Sequence, residues 1–170
     1  MGKQAQAGAG AIYRYYRGEL RQLFSRITIP NSICFSPDGR LVYFADTPKQ
    51  EIYSQPLDEK GWPVGDRNVF IDLKSKGLYP DGSVTDAEGG LWNAQWGSGS
   101  VAHYNSSGEF IDRVYVGGAH SSCPAFGGDK FDQLFVTTAL EGIEQPSAQD
   151  GAVYVVQLNV QGKPEPGVLL

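Results

Sequence analysis

The chain has 170 residues, of which 41% are hydrophobic and 12% aromatic, with 22 glycines and 10 prolines. This composition excludes a disordered tail, a coiled coil and a collagen-like fibre, and its many turn formers point to short elements. Nineteen acidic against fourteen basic residues give a net charge of -5, which leaves no basic footprint for nucleic acid, and no apolar run approaches the ~18 residues of a membrane span.

The first residues, MGKQAQAGAG, lack the apolar stretch of a secretory signal, so a soluble, cytoplasmic protein is expected. From there the chain reads as β-strands throughout. AIYRYYRGEL (11–20) and RQLFSRI (21–27) form a pair. A strand from Asn31 then leads through the turn SPDGR (36–40) into LVYFAD (Leu41–Asp46), EIYSQPLD (51–58) and NVFIDL (68–73). The order repeats with PDGSVT (80–85), the turn DAEGG (86–90), LWNAQW (Leu91–Trp96), SVAHYNSSG (100–108) and EFIDRVYV (109–116). A third unit runs from Ser122 or Cys123 through GGDKFDQ (127–133), LFVTTA (Leu134–Ala139) and GAVYVVQLN (151–159), with PEPGVLL (164–170) as its fourth strand.

Short Val-, Ile-, Tyr- and Phe-rich segments between Gly-containing turns, with a period of about 40–50 residues and four strands per unit, are the signature of a β-propeller. The count is fourteen strands, two and then three sets of four. We therefore expect an all-β, single partial propeller domain over residues 1–170, about three and a half blades, with the N-terminal blades missing.

Displacing the chain by 50 residues lays Asn31 over Asp81, each preceded by a proline, Pro30 and Pro80. First strands of blades line the central channel, so an amide oxygen and a carboxylate would converge there. That donor pair suits a hard divalent cation such as calcium or magnesium, and zinc is also compatible. The competing reading is that both residues satisfy turn backbone.

Other polar residues divide similarly. Asp46 either faces the channel or caps a turn, and His120 either touches a substrate or is a plain loop residue. His103 reads as a surface residue, Trp92 and Trp96 as packing rather than a sugar platform, and Cys34 and Cys123 as buried free thiols. Asp38-Gly39 and Glu88-Gly89 read as hairpin turns, and Asn105 as a turn residue. No GxSxG, HExxH, P-loop or GxGxxG sequence is present, so nucleophilic-serine chemistry has no support.

At IPNSICFSPDG (29–39), YFADT (43–47), PDGSVTDAEGGLWNAQWG (80–97) and CPAFGG (123–128), the chain resembles the regucalcin/gluconolactonase/senescence-marker-protein (LRE-like) family, in its C-terminal part. The resemblance implies a six-bladed propeller and metal-dependent hydrolysis of sugar lactones. It implies Asn31 as a metal ligand and Asp81 as a ligand that is also the proton donor and acceptor. It further implies that a glutamate ligand and the substrate-binding residues precede this chain, and that Met1 corresponds to an internal methionine. Ser32 stands where the family has glycine, and Ser83 where it has an apolar residue. A catalytically incomplete fragment that only binds metal, and a propeller serving as an interaction platform, are the alternatives.

Overall fold

The computed structural model describes residues 5–165 and 167. Its strands are β1 (Gly10–Tyr16), β2 (Glu19–Ile27), β3 (Pro30–Phe35), β4 (Leu41–Asp46), β5 (Glu51–Pro56), β6 (Asn68–Asp72), β7 (Tyr79–Thr85), β8 (Leu91–Trp96), β9 (Ser100–Tyr104), β10 (Phe110–Tyr115), β11 (His120–Gly127), β12 (Gln133–Ala139) and β13 (Val153–Gln157). Two 3₁₀ turns, Thr47–Lys49 and Lys74–Lys76, are the helical elements among the described residues. The fold is all-β. The strands form four antiparallel sheets in chain order: β1-β2, β3-β4-β5-β6, β7-β8-β9-β10 and β11-β12-β13.

Hairpin chemistry sets the strand ends. Arg17 and Gly18 both have positive φ (49° and 84°), the mirror-image turn that matches strand twist, so β1 stops at Tyr16 rather than running to residue 20. Gly39 and Gly89 supply the positive φ of the next two hairpins, as the Asp-Gly and Glu-Gly pairs suggested. Asn105 Oδ1 accepts from the backbone N–H of Ser107 and Glu109, so that residue is spent on its turn.

Packing follows the two-residue alternation of strands. Phe44 joins Ile12, Ile27 and Tyr53 in a cluster between the first two sheets. Its neighbours Tyr43 and Ala45 face the opposite way, onto Leu91, Ala102 and Tyr104 of the third sheet. Trp92 and Ala94 then point at Leu134 and Val136 of the last sheet. Middle strands β4, β8 and β9 are therefore covered on both faces, which is why they read as nearly continuous apolar runs. The end sheets are not: Tyr13, Tyr15, Val153 and Val155 remain more than half exposed.

Three expectations need correction. The last sheet has three strands among the described residues, not four. PEPGVLL lies partly outside the described residues, and its described part is not a strand. Instead, the chain after β13 turns back: Gly162 pairs with Asp86, and Gln161 O accepts from Ala87 N–H, which ties the last sheet to its neighbour. His103 is buried rather than exposed, because β9 is sandwiched between sheets. Its ring stacks on Trp92 at 4.0 Å between centroids. Cys34 is buried, but Cys123 is exposed.

Candidate functional site

The first strands of the last three sheets, β3, β7 and β11, lie side by side and begin at Pro30, Tyr79 and His120. Asn31 and Asp81 therefore sit at one end of adjacent strands. Both strands carry a bulge there. In β3 the regular pairing breaks between Asn31 and Cys34, and in β7 between Pro80 and Ser83. Bulges redirect side chains and are common beside active sites.

The two residues are neighbours, but their registers differ by one. Asn31 lies opposite Ala45, whereas Pro80, not Asp81, lies opposite Gln95. The cause is in the hairpins below. Counted from Leu41 and Leu91, which hold the same place in their strands, the second hairpin is one residue longer: Leu41 O meets Ser36 N–H, whereas Leu91 pairs with Thr85. Asp81 and Ser32 are thus the matching bulge positions.

Side chains join the two bulges. Asn31 Nδ2 donates to Thr47 Oγ1 at 2.9 Å, and Thr47 Oγ1 donates to Pro80 O at 2.7 Å. This fixes the Asn31 amide with its nitrogen toward Thr47 and its oxygen on the other side. Ser32, at φ 59°, donates its hydroxyl to the Asp81 carbonyl. Asn93, fully buried on β8, donates to Ser83 Oγ at 3.0 Å. The polar residue after Asp81-Gly82 thus meets a polar partner in the core. Asn93 Oδ1 has no hydrogen-bond partner.

Gly82 explains how β11 can approach so closely. A Cβ there would stand 2.7 Å from Ser122 O and 2.9 Å from both Cα and Sγ of Cys123. Cys123 is exposed as a residue, but its sulfur lies against the Asp81 segment, and this partial desolvation together with the Asp81 charge raises its thiol pKa.

Asp81 is itself 8% exposed. Burial pushes its carboxyl up to about 6, against the charge of the chain's N-terminal ammonium and a bond from Gly82 N–H. Among the described residues no lysine or arginine forms an ion pair with it. Such a carboxylate fits a site that meets positive charge from elsewhere. The amide of Asn31 beside it matches the oxygen donors of a hard cation, which takes six to eight of them in the case of calcium. No group of three His, Cys, Asp or Glu side chains able to hold a metal occurs among the described residues.

The other candidates separate cleanly. Asp46 Oδ1 accepts from the N–H groups of Thr28 and Ile29, both at 3.0 Å, and Lys49 Nζ lies 3.7 Å from its Oδ2, so it caps a turn. His120 begins β11 and stacks on Trp96 at 4.3 Å with an interplanar angle of 8°. Sequence reasoning missed Thr47, Ser32 as a tether, and Asn93, because their partners are 10 to 61 residues away. It also missed Asp86, whose carboxylate accepts from Glu88 N–H (3.0 Å), Gly90 N–H (2.7 Å) and Trp92 Nε1 (2.9 Å) and meets His103 Nε2 (3.1 Å). That cluster is structural. No helix among the described residues is long and apolar enough to cross a membrane.

Comparison with known proteins identifies the family. The chain is 37% identical over 161 residues to an L-arabinolactonase of Azospirillum brasilense, covering 89% of this chain and 53% of that protein. It is 32% identical over 145 residues to a 6-deoxy-6-sulfogluconolactonase of Pseudomonas putida, covering 82% and 50%. The crystal structure of a calcium-binding protein, regucalcin, from Agrobacterium tumefaciens superposes with a TM-score of 0.95 at 43% identity, covering all of this chain and 59% of that one. The chain thus spans about half the length of the curated relatives it matches. Residues 1–140 match the family described as the SMP-30/Gluconolactonase/LRE-like region, and the chain belongs to that family.

Proposed function

We propose that this chain supplies part of the active site of a metal-dependent sugar-lactone hydrolase, with Asn31 and Asp81 as ligands and Asp81 as the proton carrier. The observation that supports this reading is Asp81, a carboxyl on the bulge of β7 whose burial raises it to about 6 although the chain's N-terminal charge and the Gly82 N–H both oppose the shift. The family and its lactonase relatives support the substrate class. In the same reading the four stacked sheets are three and a half blades of a six-bladed propeller, β3, β7 and β11 line the channel, and further blades complete the site.

A divalent cation held there (calcium, zinc or magnesium) would polarise the lactone carbonyl and offset charge developing on its oxygen. Asn31, held by Thr47, presents a neutral oxygen and does not compete as a base. Asp81 takes a proton from water as the water oxygen attacks the carbonyl carbon. When the ring C–O bond breaks, Asp81 returns that proton to the departing ring oxygen. A group that must accept and then donate works best with a pKa near the working pH, which burial moves Asp81 toward.

The test is acidification of an L-arabino-1,4-lactone solution, with added cation and with EDTA, by this chain and by the chain joined to the further blades. We expect cation-dependent turnover in the completed propeller that Asp81→Asn abolishes, while Asn31→Ala raises the cation concentration needed. Undiminished rates in Asp81→Asn would remove the assigned role. A second reading is favoured by the absence of a three-ligand cluster among the described residues: a module that binds cation but does not turn over alone. Cation binding without acidification selects it.

A further inference from the structure

Beside the Asn31–Asp81 pair lies a second feature that the proton chemistry does not use. An apolar groove of about 260 Å³ is lined by Ile29, Thr47, Pro48, Tyr79 and Trp96. Ile29, just before β3, and Tyr79, the first residue of β7, stand two residues before Asn31 and Asp81, and Thr47 is the residue whose hydroxyl joins Asn31 to Pro80. Groove and candidate site share a wall.

Its aromatic residues are not core. Trp92 belongs to a buried cluster between sheets, whereas Trp96 belongs to none and is half-buried, and Tyr79 is 44% exposed. Tyr79 and Trp96 face each other in register across β7 and β8. His120, from the next first strand, stacks nearly parallel on Trp96, and its buried Nδ1 has no hydrogen-bond partner. The imidazole is held by the stack rather than by a hydrogen bond, and so it braces the indole.

An aldonolactone has a polar rim of hydroxyls and a carbonyl, but its ring also has faces of C–H groups. Such a face packs on the electron-rich face of an aromatic ring, while the polar groups need donors and a cation. An apolar aromatic groove abutting an oxygen-donor site offers both halves. We propose that Trp96 and Tyr79 seat the C–H face of the lactone ring and thereby set substrate preference, with His120 as the positioning residue that holds Trp96. This rests on the lactone reading above and adds the residues that choose among lactones.

The experiment uses the lactam analogue of L-arabino-1,4-lactone, which keeps the ring and resists opening, and saturation-transfer NMR on the 170-residue chain with added cation. Irradiating the aromatic protons should transfer saturation to the C–H protons of the lactam. Trp96→Ala and Tyr79→Ala should each weaken its Kd by about 3- to 10-fold, the range expected for one aromatic contact. His120→Ala should weaken it less, and His120→Phe, which keeps a ring against Trp96, should restore it. Tyr79 is exposed enough that its variant tests the groove even if Trp96→Ala fails to fold. Unchanged binding in Tyr79→Ala together with a folded Trp96→Ala, or no binding by the parent chain, overturns the assignment. Neither result touches the role of Asp81, which the acidification assay decides separately.

Discussion

Asp81→Asn should stabilise the metal-free chain at neutral pH, and the size of the effect follows from the structure. A carboxyl whose folded pKa is raised from 3.8 to about 6 binds its proton more tightly folded than unfolded. Its contribution is most favourable below pH 3.8 and is progressively lost as the pH rises through about 6. At about 1.4 kcal/mol per pH unit, the gap costs about 3 kcal/mol once both states are ionised. Asparagine has nearly the same shape and carries no charge to desolvate, but its amide must still be buried with imperfect partners. A gain of about 1–3 kcal/mol at pH 8 is therefore expected, equivalent to several degrees in Tm for a chain of this size.

The assay is urea denaturation of parent and Asp81→Asn in EDTA, at pH 8 and pH 4. The gain should be present at pH 8 and largely vanish at pH 4, where parent Asp81 is protonated. Added divalent cation should stabilise the parent and not the variant. If Asp81→Asn is less stable than the parent at pH 8 in EDTA, the carboxylate is holding the fold together, and its assignment to a cation and a proton is wrong.

Two structural predictions accompany it. Asp86→Ala strips the acceptor from the Trp92 indole, the Gly90 N–H and His103, which lie in the buried middle of the third sheet. Leaving such donors unmet should cost about 3–5 kcal/mol in urea unfolding, with Asp81 chemistry unaffected in whatever fraction remains folded. In the parent, burial raises the Asp86 pKa, but the bonds from His103, Trp92 and Gly90 outweigh it and leave it lowered. Its contribution is thus full above the ordinary value of 3.8 and falls away in more acid solution. Gly82→Ala drives a methyl into the Ser122 carbonyl and the Cys123 backbone, so a lower Tm, by about 1–3 kcal/mol in stability, is expected even though Asp81 is untouched.

Much of the fold was legible because turns and alternation are local. Leu41–Asp46 and Leu91–Trp96 are strands to the residue, each following a Gly-containing hairpin that needs positive φ. What stayed hidden depends on stacking between sheets. His103 has the spacing of an outer strand, and nothing in SVAHYNSSG says that another sheet covers it. The 50-residue repeat is equally blind to a hairpin that takes one more residue between equivalent pairs. It aligned Asn31 with Asp81, where the strands pair Asn31 with the position of Pro80. Asp46 and Asp81 looked alike as carboxylates at strand ends. Only their surroundings separate them, because two backbone N–H groups fix one, while at the other burial outweighs the N-terminal charge and the Gly82 N–H.

The residues that depart from the family pattern also bear on how the site is held. β3 and β7 belong to different sheets, so no backbone ladder fixes the distance from Asn31 to Asp81. Hydroxyl side chains do so instead. Ser32 bonds to Asp81 O and Thr85 to Phe35 O at 2.6 Å, two rungs between the strands, and Thr47, outside both, makes a third link from Asn31 to Pro80 O. A glycine at position 32 would adopt φ 59° without strain, whereas a serine there costs about 1 kcal/mol. The hydroxyl bond offsets a similar amount, since a net hydrogen bond contributes about 0.5–1.5 kcal/mol. Serine is thus near-neutral in stability, yet it adds a tether at the residue bearing the proposed proton carrier. A pair of donors spaced by the fold before any cation arrives need not be ordered by it, and less of the binding free energy is spent on ordering them.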